Sequence, residues 1–324
     1  MNRSLKNARA AVIPATMQAV RVRAFGGVER LLLETMPVPL PGPGELLVRV
    51  AAAGVGPWDA WVRERKSALE QPLPLTPGSD ISGTVVAMGP EAAGFHIGQQ
   101  VFGVTNASFT GGYAEYAIAS AAMMAEKPSV LSHAEAASLP VVASTARQMV
   151  FDHARVELGE RVLVLGGGGN VGGFAVRMAR LAGASVVATA RAADTMLVSA
   201  LGAEEVIEPG EGWTCQFRAV DAMIDTVGGK LLAQAMTRVR PGGVVVSAVE
   251  EPDPKLAALL GVTASFMLVS ITTAGLTLVA ELAQAGRLMV RVGEILPLNE
   301  VQVAHERLAG RTNQDGKIVL RPGE

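Results

Sequence analysis

A single cysteine, Cys215, stands among 324 residues. No disulfide can close within the chain, and a reducing, cytoplasmic compartment is the simple expectation. Charge of one sign is lacking as well: 28 basic and 30 acidic side chains leave a net charge of −2. That balance gives no electrostatic case for nucleic acid or an anionic membrane surface. Metal ligands are scarce. The histidines, His96, His133, His153 and His305, stand apart, and with one thiol they build neither a structural nor a catalytic zinc site. Each is expected to be a solvated or core histidine, Cys215 is read as incidental, and no residue is assigned to a metal. Internal repeats are missing, and the one locally proline-rich tract is Pro37 to Gly44.

One charge-free run, Leu256 to Ala280, is long enough to span a bilayer. Its hydroxyls at Thr263, Ser265, Ser270, Thr272, Thr273 and Thr277 predict something else: a helix end, a strand near Ser265 to Ser270, and a new helix from about Thr273. A soluble chain without a membrane segment is expected. The opening residues carry Arg3, Lys6 and Arg9 before a short apolar patch broken by Pro14, which is not a signal peptide pattern. Residues 1–16 read as an N-terminal extension, with Met17 as a candidate natural start. An apolar share of 49% over this length supplies cores for two domains.

What is present in quantity is glycine at meaningful positions. Val162 to Leu165 is an apolar run bounded by turn signals, the mark of a buried strand. Phe174, Ala175, Met178 and Ala182 then share one helical face. Between strand and helix lies G-x-G-x-x-G, with Gly167, Gly169, Asn170, Val171 and Gly172 as the candidate cofactor contacts. The first glycine permits a tight turn and the second lets backbone amides approach a pyrophosphate. The third lets the helix pack close to the strand. Strand, motif and helix in that order predict a dinucleotide site.

The next strand, Ser185 to Thr189, ends where an NAD site carries an acid for the ribose hydroxyls. Here the chain reads Ala190-Arg191-Ala192-Ala193, and no carboxylate follows until Asp194. Arg191 therefore points to the 2′-phosphate of NADPH, the alternative being a solvated loop residue. A helix from Asp194, as N-cap, to Ala200 is closed by Gly202. Ala222 to Asp225 and Val244 to Ser247 are further short strands, so the pattern predicts an α/β, doubly wound parallel sheet. Ligands bind such sheets beyond the carboxyl ends of the strands, which puts Asp225 at the cofactor border.

The first part of the chain has another texture. Glu45 to Val50 and Gly83 to Met88 are β-rich and separated by turns dense in proline and glycine, as in a compact barrel-like domain.

An ordered set of segments now resembles a known family. Met17-Gln18-Ala19-Val20, Pro77-Gly78-Ser79-Asp80-Ile81-Ser82-Gly83 and Gly112-Tyr113-Ala114-Glu115-Tyr116 come first. Leu139-Pro140, Thr145-Ala146, Leu201-Gly202-Ala203, Asp225-Thr226-Val227-Gly228-Gly229 and Gly316-Lys317-Ile318-Val319-Leu320 follow. Together they look like the zinc-independent quinone oxidoreductases, the zeta-crystallin-like group of the medium-chain dehydrogenase/reductase superfamily. The resemblance implies a GroES-like catalytic domain over 17–143 completed by 287–324, a Rossmann domain over 144–286, and a homodimer. It implies hydride transfer from NADPH to a quinone or an α,β-unsaturated carbonyl. Where zinc-dependent relatives carry Gly-His-Glu, this chain has Gly78-Ser79-Asp80.

The same resemblance places Thr145 beside the nicotinamide, at the start of the helix leading into the Rossmann domain. It passes Phe266 to Leu268 along the ring, with Phe266 and Leu268 contributing backbone groups. Asp59, Trp58 and Trp61 are expected to line or support the acceptor site, with Arg63 close by. For each tryptophan the alternative is core packing, and for Asp59 it is a helix cap. Tyr113 is either a proton-donating phenol or a structural aromatic in a strand. The chain departs from the family in having Gly56 where asparagine is usual, Trp61 for a common tyrosine, and Thr195 for a frequent lysine. Loss of the asparagine keeps a second hypothesis open, an NADPH-binding protein with little turnover in a redox-sensing or structural role.

Overall fold

A computed structural model of the chain describes residues 13–310 and 316–323; residues 1–12, which make up most of the expected extension, lie outside them. Two compact units emerge. The first takes the described residues up to Ser138, Thr272–Thr277 and those from Val292 onward; the second takes Leu139–Ile271 and Leu278–Arg291. The unit changes at Leu139, near the residue 144 that the resemblance implies, and the helix α3 (Pro140–Arg147) belongs to the second unit as a whole.

The first unit opens with the antiparallel pair β1 (Thr16–Arg21) and β2 (Leu32–Pro37). Then come β3 (Glu45–Val55), helix α1 (Pro57–Arg63), β4 (Asp80–Met88), β5 (Gln100–Val104), β6 (Tyr116–Ser120), β7 (Met124–Glu126) and helix α2 (His133–Ala137). β3 is the spine of this unit. Its eleven residues are almost continuously buried because neighbours flank it along its length. β4 runs along it, β6 pairs with Glu45–Arg49, and the last strand of the chain pairs with Ala53–Val55. Val48, Val50, Ile81, Val85, Val101 and Ile318 fill the core. The barrel-like reading of this region agrees with that architecture.

The second unit continues from α3 through β8 (Arg161–Leu165), α4 (Asn170–Leu181), β9 (Ser185–Thr189), α5 (Thr195–Leu201) and β10 (Glu205–Ile207). β11 (Val220–Asp225), α6 (Gly229–Met236), β12 (Val239–Ser247), α7 (Pro254–Leu260) and β13 (Thr263–Phe266) complete its sheet. All pairings are parallel, in the order β10-β9-β8-β11-β12-β13. Chain order reverses at β8, so this is the expected doubly wound sheet, with its switch point between β8 and β11. Gly202, at φ +117°, closes α5 in the left-handed region, as its sequence position predicts.

Helix α8 (Thr273–Gln284) follows, and β14 (Val292–Pro297), α9 (Val301–Gly310) and β15 (Lys317–Arg321) finish the first unit. β15 lies between β14 and β3, inside a seven-stranded sheet. The charge-free run at 256–280 is divided among α7, β13, a loop and α8. Its strand comes earlier than the sequence suggested, because Gly261 ends α7 and Thr263–Phe266 can then pair with β12. Among the described residues no helix is long and apolar enough to cross a membrane.

Candidate active site

β8 ends at Leu165 and the chain turns through Gly166 to Gly169 into α4. Gly169 is the N-cap, exposed and without a side chain to bond the first-turn amides. The first intrahelical bond runs from Gly173 N to Gly169 O at 2.9 Å. Asn170, Val171 and Gly172 thus contribute the orphan donors of a helix start. A Cβ at Gly172 would collide with the carbonyl oxygen of Gly166, so only glycine lets the helix sit this close to the turn. Gly167 is confined less severely, by the Ala188 and Val198 side chains at 3.0 and 3.1 Å from where a Cβ would lie. An uncapped start on a twelve-residue helix, reached through glycines, fits a pyrophosphate.

Arg191 follows β9, with its side chain 61% exposed. Its Nε donates to Asp194 Oδ2 at 2.9 Å. The carboxylate of Asp194, expected to cap α5, makes no capping bond. The sequence has no acid at the strand-end position, and the fold brings the first carboxylate after it, Asp194, onto Arg191.

Leu165, Asp225, Ser247 and Phe266 stand in register across four strands, at the carboxyl edge of the sheet. Asp225 is at the border the sequence indicated, but its carboxylate is fully buried. Oδ1 accepts the amides of Val227 and Gly228 at 3.0 and 2.9 Å, and Oδ2 accepts the Ser247 hydroxyl at 2.7 Å. Asp225 therefore shapes the loop after β11 and offers no carboxylate oxygen outward. Phe266 ends β13 at the same edge, with Leu268 exposed just beyond it. Thr145 lies near the end of α3, not at a helix start, and its hydroxyl donates to Val141 O at 2.7 Å. As a donor it serves its own helix, and only its lone pairs remain for a ligand.

In the first unit the polar residues gather around α1. Pro57 is its first residue, and Asp59 reaches back from the third so that Oδ2 accepts the Gly56 amide at 2.8 Å. Asp59 is thus the helix cap that the sequence left as an alternative. The same oxygen accepts the Tyr113 hydroxyl at 2.8 Å, while Oδ1 is buried without a partner among the described residues. Burial pushes the Asp59 carboxyl up to about 7, against the hydrogen bonds from Gly56 and Tyr113 that hold it down. Burial, then the neighbouring Asp59, drives the Tyr113 phenol well above its ordinary range. Tyr113 precedes β6 rather than lying in a strand, and its hydroxyl is committed to Asp59. These two residues position α1.

Trp58 and Trp61 sit on that helix. Trp58 donates its indole N–H to Ser79 Oγ at 3.1 Å, and the Lys317 ammonium lies 4.6 Å from its ring centre. Trp61 is 49% exposed, so the core alternative does not hold for it. Arg63 is buried, donating from Nε to Gly26 O and from Nη1 to His305 Nδ1 at 3.2 Å. A guanidinium only donates, so His305 Nδ1 accepts and the ring proton is on Nε2. Burial, with Arg63 adding repulsion, lowers His305 to about 3.

Lys317 and Asp80 form an ion pair with side-chain exposures of only 2% and 0%. Both lie within segments that carry the family resemblance, and neither has a role there. The available signal was a lysine heading the apolar run Ile318-Val319-Leu320. The Arg63–His305 contact joins residues far apart in the chain and had no local signal.

Zinc does not fit this donor set. Ser79 and Asp80 are the residues that the family resemblance sets against the zinc relatives' His-Glu. Ser79 accepts Trp58 and the Asp80 carboxylate is matched by an ammonium. No group of three metal-ligating side chains occurs among the described residues.

Residues 42–129 match the family described as alcohol dehydrogenase GroES-like domain, and residues 201–320 the family described as zinc-binding dehydrogenase. Human quinone oxidoreductase is 32% identical, with 94% of this chain and 97% of that protein covered. Among solved structures, a quinone oxidoreductase from Coxiella burnetii has a TM-score of 0.86 at 29% identity, covering 94% of this chain and 99% of that one. A cobalt- and zinc-bound thermostable alcohol dehydrogenase from Pyrobaculum aerophilum has a TM-score of 0.84 at 29% identity, covering 95% and 100%. This chain belongs to the quinone oxidoreductase family of the medium-chain dehydrogenase/reductase superfamily. Its doubly wound sheet is the Rossmann unit and its first unit the GroES-like one. It is an oxidoreductase that acts on a small molecule with a nicotinamide cofactor.

Proposed function

We propose that this chain transfers a hydride from NADPH to a quinone or another conjugated carbonyl, without zinc. The observation that carries the reading is the closed Asp80–Lys317 pair beside Ser79, at the positions where zinc relatives carry metal ligands. With no Lewis acid to polarise a plain ketone or alcohol, the acceptor must already be electrophilic, and conjugated carbonyls are. The nicotinamide supplies the hydride when bound. The chain's own residues do the rest. The amides of Asn170, Val171 and Gly172 hold the pyrophosphate, and Arg191 meets the 2′-phosphate. Thr145, Phe266 and Leu268 orient the ring. Trp61 provides a flat wall for the acceptor, held through α1 by Asp59 and Tyr113. A homodimer, as the family resemblance implies, in a reducing cytoplasmic compartment, in keeping with the single cysteine, completes the reading.

The test is a panel of small quinones, enones, plain ketones and primary alcohols, with NADPH or NADP⁺, before and after prolonged chelation. Reduction of the conjugated acceptors alone, unchanged by chelation and without stoichiometric zinc, is expected. Tight NADPH binding without turnover of quinones or enones would overturn the proposed reaction.

A further inference from the structure

We propose that Asp194 sets how strongly this chain discriminates between phosphorylated and unphosphorylated nicotinamide dinucleotides. The inference builds on Arg191 as the phosphate partner and adds a second, opposing group. Asp194 Oδ2 accepts Arg191 Nε at 2.9 Å, and the same oxygen stands 2.9 Å from where a Cβ on Gly168 would lie. The carboxylate therefore bears on the glycine-rich turn itself while holding the arginine. It is the more enclosed partner, 14% exposed against 61% for Arg191. Glu208 adds a further acid to this loop, its Oε1 accepting the Ala192 amide at 3.2 Å.

Two chemistries meet at one salt bridge. A carboxylate beside such a turn suits the hydroxyls of an unmodified ribose, and a guanidinium suits a 2′-phosphate. A phosphate that engages Arg191 comes up against Asp194, and like charges at this range repel even near the surface. Asp194 thus weakens the phosphorylated ligand, supports the unphosphorylated one, and limits what Arg191 achieves. No local rule assigns it this part, because it lies three residues past the strand-end position where the acid of an NAD site is sought.

The experiment is calorimetric binding of 2′-phospho-ADP-ribose and of ADP-ribose to the ligand-free protein, so that turnover plays no part. The parent, Asp194→Asn, Asp194→Ser and Arg191→Ala are compared at two salt concentrations, with folding checked by thermal melts. Removing one like charge at this exposure should raise the ratio of phosphorylated to unphosphorylated affinity about three- to tenfold in both Asp194 variants, and less at high salt. Arg191→Ala should lower that ratio about tenfold or more, as loss of a charge-assisted phosphate contact does. An unchanged ratio in both Asp194 variants, with Arg191→Ala still lowering it, overturns the role of Asp194 and leaves the NADPH reading intact. A parent that binds the two ligands equally and ignores Arg191→Ala overturns the NADPH reading. A ratio that still shifts in the Asp194 variants then upholds Asp194 as the discriminating group.

Discussion

Tyr113 donates its phenol to Asp59 at 2.8 Å, and both side chains are fully buried. This bond ties the loop before β6 to the first turn of α1, and through it to Trp58 and Trp61. Tyr113→Phe should cost about 1 kcal/mol of stability, the usual net worth of such a bond. Asp59→Ala should cost more, since it removes the cap as well. Asp59→Asn should be tolerated, because its carbonyl oxygen can keep both donors and its amide nitrogen takes the place of the unpartnered Oδ1. Urea unfolding at pH 7.5 ranks the three. An Asp59→Asn as damaging as Asp59→Ala would show that the negative charge itself matters.

Asp59 and His305 should oppose each other in the pH dependence of stability. Asp59 is raised from about 3.8 in the unfolded chain to about 7 in the folded one, so its contribution is complete below 3.8 and lost as pH rises toward 7. His305 falls from 6.5 to about 3, so its contribution is complete above 6.5 and lost as pH drops toward 3. Between those limits the folded state holds one proton more at Asp59 and one fewer at His305, and the two slopes cancel. Asp59→Asn should leave stability rising with pH across that window, by about 1.4 kcal/mol per unit. His305→Asn should leave it falling. Parallel curves for the parent and both variants would refute the pairing.

Lys317→Met should be severely destabilising, because it takes the ammonium away from the fully buried Asp80 carboxylate. Breaking a buried pair from one side typically costs about 3–5 kcal/mol. The double variant Lys317→Met with Asp80→Asn should recover much of that loss. Chemical denaturation of the four-member cycle measures it, and equal losses in the single and double variants would argue against the pair.

Trp61→Ala should lower kcat/KM for a bulky quinone more than it changes NADPH binding, since the residue is exposed on α1 and carries no cofactor contact in the proposed site. Steady-state kinetics with a small and a bulky quinone, beside cofactor titration, separates the two effects. Equal losses for both quinones would remove Trp61 from acceptor positioning.

The parallel sheet was legible because each of its elements is local: apolar runs such as Val162–Leu165, a glycine-dense turn, and a helix with one apolar face. The place of Asp225 at the sheet edge followed from the direction of those strands, whereas Phe266 was named only through the family resemblance, since its strand was expected later, near Ser265 to Ser270. What sequence could not supply were bonds closed by the fold. Asp225 lies at the sheet edge with its oxygens turned to backbone amides and Ser247, and Tyr113 reaches Asp59 from 54 residues further along the chain. A pattern of residue types predicts which face is apolar, and it does not say which buried donor finds which buried acceptor. Asp194 is the exception. Its spacing from Arg191 was visible, and a rule that seeks the acid only at the strand end passed over it.

The place of β15 between β14 and β3 makes synthesis on the ribosome run against the numbering of the units. Strands β8 to β13 are contiguous in the chain, so their sheet can assemble as they emerge. The earlier-made strands β3 and β4 must wait, with Asp80 lacking its ammonium, until Lys317, which follows all six of those strands in the chain, has been made. Domains generally fold as units once their segments are available. The Rossmann unit, translated second, is therefore the one that can finish first, and the nascent GroES-like unit is the stretch most in need of protection while the ribosome is still at work.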